Sequence, residues 1–100
     1  MIVYCVNDPA VMEAWAADQK IAGSIVTFVA DQSSALTKAL DVELLAPGPA
    51  RDLGNPRCKR FALYVDKGTI KYVGVSEGPN DAAGDDDISA SSVEGLLKVI

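Results

Sequence analysis

The stretch KRFALYVDKGTIKYVGV, residues 59–75, decides the fold. Lys59 to Val65 alternates, placing Phe61, Leu63 and Val65 on one face. Asp66-Lys67-Gly68 is turn chemistry, and Thr69 to Val75 alternates again, with Ile70 and Tyr72 set against Lys71 and Val73. Two period-two runs around a short glycine-containing connection predict an antiparallel hairpin.

Upstream, Ile2 to Val6 is a continuous apolar run, the pattern of a strand buried on both faces. Asp8 can cap the helix that Pro9 starts, and Val11, Met12, Trp15 and Ala16 recur at helical spacing over residues 9–19. Ser24 to Ala30 is β-branched and reads as a second strand. Asp31 to Ser34 is cap and turn chemistry before a short helix carrying Leu36, Ala39 and Leu40. Strand-helix-strand implies a right-handed crossover and parallel pairing. Residues 41–56, with three prolines and two glycines, have no clear period and read as a long connection.

Downstream of the hairpin, residues 76–87 are polar and acidic. Ser91-x-x-Glu94 predicts a capping box, and Val93, Leu96, Leu97 and Ile100 form an apolar face, so a closing helix packed on the sheet is expected. The order is β-α-β-α-β-β-α in an α/β chain. One hundred residues make one domain, 1–100.

Composition excludes several classes. A net charge of −5 supplies no basic stripe for nucleic acid. No apolar run is long enough to cross a membrane, and MIVYCVNDP lacks the charged and apolar regions of a secretion signal, so a cytoplasmic or other intracellular setting is expected. Two distant cysteines are not a disulfide framework. The absence of histidine removes the usual zinc sites and the Ser-His and Cys-His pairs. No metal or cofactor is expected.

Four segments carry a family resemblance. VNDPAVMEAWAADQ (6–19), LTKALDVEL (36–44), RCKRFALYVDKGTIK (57–71) and SASSVEGLLKVI (89–100) resemble, in this order, segments of type II peroxiredoxins, the peroxiredoxin-five branch. The resemblance implies a thioredoxin-like fold and a thiol peroxidase acting on hydrogen peroxide and alkyl hydroperoxides. It implies glutaredoxin or thioredoxin as reductant, and a homodimer or pairing with a full-length peroxiredoxin. Arg60, in CKRF, matches the arginine that holds the family's peroxidatic thiolate and polarises the peroxide. A guanidinium suits that role because it keeps its charge and donates to developing negative charge.

The departures are specific. The family's Thr-x-x-Cys is absent: Ile2 stands three residues before Cys5, and Asn55 three before Cys58. Val3 and Ala90 hold no thiol where some members resolve the sulfenic acid. By resemblance the chain looks like the C-terminal part of an incomplete peroxiredoxin fold. The expected missing parts are the nucleophile and a central strand between the first strand and the hairpin. Peroxidase activity of the chain alone is therefore not expected. A non-catalytic redoxin-like interaction module or a truncated gene product are the alternatives.

Each candidate also has a plainer role. Arg57, Lys59 and Arg60 would favour a Cys58 thiolate, but Cys58 fits a small strand residue better. Cys5 reads as a small buried hydrophobe. Arg60 could simply pair with a carboxylate. Met12 and Trp15 read as core, and NDAAGDDD (80–87) as a solvated acidic loop.

Overall fold

The computed structural model describes residues 1–45, 57–79, 81 and 83–100. Strand β1 (Ile2–Cys5) leads to helix α1 (Pro9–Asp18) and strand β2 (Thr27–Ala30). Helix α2 (Ala35–Ala39) follows, then the short strands β3 (Glu43–Leu44) and β4 (Arg57–Cys58). The hairpin strands β5 (Arg60–Asp66) and β6 (Thr69–Ser76) and helix α3 (Val93–Leu97) complete the order.

Local chemistry explains the elements. The Val11 amide donates to Asp8 Oδ1 at 2.9 Å and Pro9 opens α1, so the expected cap forms. β1 and β2 pair in parallel, with Ile2 opposite Thr27 and Cys5 opposite Ala30. Met12 is the buried residue of α1, while Trp15 packs at a tilt of 49° on Phe28 with ring centroids 4.6 Å apart. Trp15 is a surface side chain that covers Phe28 rather than a core residue, because 39% of it stays exposed. In the hairpin, Lys67 and Gly68 both have positive φ (52° and 80°), the two-residue turn whose twist matches the strands. One register shift falls at Tyr64/Val65.

Three expectations change. Glu43–Leu44 is strand rather than loop, paired antiparallel with Arg57–Cys58; most of the long connection, residues 46–56, lies outside the described residues. The capping box at Ser91 does not form. Ser92 is the cap, taking the Gly95 amide at 3.2 Å, because Ser91 Oγ turns inward to Ser76 Oγ at 2.8 Å. β1 is not buried on both faces: Ile2 is 72% exposed.

The reason for that exposure governs the architecture. Among the described residues the strands form three separate two-stranded sheets, β1–β2, β3–β4 and β5–β6. β1 and β5 face one another without backbone pairing. An apolar groove opens between them on both faces. One side is lined by Ile2, Tyr4, Leu36, Phe61, Leu63 and Ile70. The other is lined by Val3, Ala62, Tyr64, Val93, Leu96 and Ile100. The apolar face of α3 therefore borders the groove, and Val93 and Ile100 stay more than half exposed. The buried apolar side chains described are Val6, Met12, Val42 and Leu44.

Candidate functional site

Beneath the C-terminal end of β1 lies a cavity lined by Tyr4, Cys5, Arg57, Cys58, Arg60 and Asp85. β1 supplies Tyr4 and Cys5, β4 supplies Arg57 and Cys58, and β5 begins at Arg60. Arg57 ties the strands together, donating from Nη1 to the Val6 carbonyl at 2.8 Å, and the Lys59 amide donates to the Val42 carbonyl at 2.8 Å.

Each of the three cations around Cys58 has its own acceptor. Lys59 Nζ lies 3.3 Å from Glu77, Arg60 Nη2 donates to Asp85 Oδ1 at 2.7 Å, and Arg57 holds the Val6 carbonyl. Burial consequently dominates the thiol. It pushes Cys58 above the ordinary thiol range, and the Tyr4 hydroxyl and the backbone amides of Cys58 and Val6 offset only part of that rise. Burial also raises Cys5, the Cys58 charge adds to the rise, and Arg57 opposes it. Both thiols are protonated at neutral pH, so proximity to three cations in sequence does not make Cys58 a ready nucleophile. Cys5 is half-buried rather than sealed in a core, because it faces this cavity.

Arg60 is exposed and its Asp85 partner more so, and such pairs exchange readily with water or another anion. The guanidinium can turn to a new acceptor in the cavity at little cost. Asp85 itself is positioned by Asp81, whose carboxylate accepts the amides of Asp85 (3.1 Å) and Asp86 (2.8 Å). The acidic run is thus folded around Asp81 and carries the counter-ion of Arg60.

A second polar cluster supports the cavity from below. Asp31 accepts the Thr37 hydroxyl at 2.7 Å and the amides of Thr37 (2.9 Å) and Leu36 (3.1 Å). Desolvation would raise this carboxyl, but the hydrogen bonds outweigh it and hold the group below its usual range. Thr37 Oγ1 in turn meets the Tyr4 hydroxyl at 3.3 Å. Burial pushes the Tyr4 phenol up to about 12, against the lowering effect of Thr37. Tyr4 also meets Phe61 edge-on, ring centroids 5.7 Å apart, across the groove. The Asp31–Thr37–Tyr4 chain and the Asp85 counter-ion were not singled out from the sequence. Asp31 gave only the general signal of a polar residue before a helix.

The redoxin family model matches residues 1–92. The chain belongs to the redoxin family. Its relatives there are peroxiredoxins. This redoxin is 34% identical over 101 residues to Peroxiredoxin-2D of Arabidopsis thaliana, covering all of this chain and 55% of that protein. It is 33% identical over 95 residues to the chloroplastic Peroxiredoxin-2E-2 of Oryza sativa subsp. japonica, covering 95% of this chain and 39% of that protein. The crystal structure of reduced Prx3 of Vibrio vulnificus in complex with hydrogen peroxide superposes with a TM-score of 0.72 at 30% identity. That match covers 97% of this chain and 52% of the other. The oxidised form of Prx3 gives 0.75 at 28% identity. The fold is therefore thioredoxin-like, and the redoxin spans roughly half the length of these relatives. Among the described residues no helix is long and apolar enough to cross a membrane.

Proposed function

We propose that this redoxin contributes the arginine-bearing half of a thiol peroxidase. The whole would reduce hydrogen peroxide and alkyl hydroperoxides, and glutaredoxin or thioredoxin would restore its thiol. The observation that carries this reading is the placement of Arg60 in a redoxin framework. It lines a cavity that also holds both thiols, and among the described residues its partner is the exposed carboxylate of Asp85. There a guanidinium can hold a thiolate and donate to the peroxide oxygen as charge develops. In this reading the reacting thiol is neither Cys5 nor Cys58: neither follows Thr-x-x, and burial raises both thiols. Residues 1–100 act as one domain, and free cysteines suit a reducing intracellular setting.

Two measurements test this. The purified chain, given peroxide with either reductant, turns over no faster than the uncatalysed reaction; clear second-order turnover would refute the placement of the nucleophile elsewhere. Spliced in place of the segment it matches in Peroxiredoxin-2D, the chain supports peroxidase activity, and Arg60→Ala lowers kcat about 10²-fold. An Arg60→Ala chimera as active as its parent would remove Arg60 from the site.

The open groove between β1 and β5 favours a second reading, an interaction module that pairs with a full-length peroxiredoxin. Co-purification with such a protein, or with a second copy of this chain, separates that reading from the first.

A further inference from the structure

The cavity at the end of β1 holds both cysteines of the chain, although 52 residues separate them in sequence. One side-chain bond links the two segments: the Val6 carbonyl, one residue beyond Cys5, accepts Arg57 Nη1 at 2.8 Å, one residue before Cys58. A charge at Cys58 disfavours ionising Cys5, as expected of two thiols that line one cavity. Arg57 lines the same cavity, with its Nε buried and without a hydrogen-bond partner among the described residues. A buried guanidinium nitrogen with no acceptor costs free energy, and a thiolate forming beside it would satisfy it.

From this juxtaposition we propose that Cys5 and Cys58 are a redox dithiol that closes to an intramolecular disulfide on meeting a small-molecule disulfide. One thiol loses its proton to solvent, and its thiolate attacks a sulfur of the small disulfide. The S–S bond of the reagent breaks and one thiolate leaves. The second cysteine then loses its proton and attacks the first cysteine's sulfur, expelling the other half of the reagent. The two protein thiols are oxidised by two electrons, and one small disulfide is reduced to two thiols. Arg57 favours the thiolate at Cys5, and the arrangement is independent of any peroxide chemistry at Arg60.

Intact-mass analysis tests it. The reduced full chain is incubated with oxidised glutathione, quenched with an alkylating reagent under denaturing conditions, and weighed. The expected product is a monomer lighter by two hydrogens and unalkylated, with a Cys5–Cys58 cross-link in its peptide map. Formation accelerates as pH rises, since both thiols start protonated. Cys5→Ser and Cys58→Ser each stop with one glutathione retained or one alkyl group. Retained glutathione or full alkylation in the wild-type chain overturns the pair, as does a disulfide linking two chains. The wild-type measurement decides the matter even if a serine variant folds poorly. Because the oxidant is a disulfide and the readout a mass, failure here leaves the peroxidase reading untouched.

Discussion

Asp31 shows how much one side chain can hold. Its carboxylate receives three donors that bind the start of α2 to the end of β2, and Thr37, one of the donors, is fully buried. The folded carboxyl titrates below its usual range, while the unfolded chain titrates at an ordinary value. Stability from Asp31 is therefore present above the ordinary carboxylate pKa and is lost as pH falls through the lower folded value. Asp31→Asn should cost about 1.5–3 kcal/mol near neutrality, since hydrogen bonds to a charged group are replaced by weaker ones. The cost should shrink as both proteins are acidified. Urea melts of the two proteins from neutral pH downward check this, and a penalty that stays constant into acid would show that the charge is not what stabilises. At Gly74 the constraint is steric. A Cβ there would meet the Ala90 carbonyl, which also accepts the Tyr72 hydroxyl at 2.8 Å. Gly74→Ala should therefore loosen the loop before α3, seen as faster amide exchange around Ala90. Neither residue stood out in the sequence. Legibility there ran to residues with a local signature, such as Asp8 before Pro9. Asp31 and Gly74 take their roles from neighbours that only the fold brings close.

At the scale of elements, the strongest local periods were read correctly. The alternation around Asp66-Lys67-Gly68 gives β5 and β6, and the Asp8-Pro9 start gives α1. What the sequence hid were pairings two residues long. β3 and β4 have no period to detect, and they exist because Val42 and Leu44 are buried and bring Glu43 against Cys58. The hairpin turn itself carries an adjustable cost. Lys67 sits at φ 52°, where an L-residue with a long side chain is strained and asparagine is far better tolerated. Lys67→Asn should raise stability by up to about 1 kcal/mol, because it relieves that strain without touching a contact. A thermal melt checks it. A lower midpoint would mean that Lys67 makes an interaction worth more than its backbone conformation costs.

For the whole molecule, the decisive feature is the groove between β1 and β5. The chain exposes 6897 Å². A monomer of 10.5 kDa is expected to expose about 5,400 Å². Part of the excess is apolar surface that lines the groove or its rim, with Met1, Ile2, Val65, Ile70, Val93 and Ile100 all more than 45% exposed. The edge of β1 away from β2 and the edge of β5 away from β6 have no strand partner among the described residues, so their backbone groups are open to pairing. Direct closure of the gap is opposed by the side chains already meeting across it, Tyr4 against Phe61. Burying the exposed groove surface in an assembly is then favourable at roughly 25 cal/mol per Å². The chain should accordingly self-associate, with a melting midpoint that rises with protein concentration. Val65→Lys places a charge on the groove wall at a site that is half exposed in the monomer, so it should weaken association while changing monomer stability little. Sedimentation at several concentrations, paired with melts of both proteins, gives the answer. A cooperative, concentration-independent melt of a wild-type monomer would mean that the two half-sheets are sufficient by themselves, and the groove would then be a stable surface of the fold rather than an open seam.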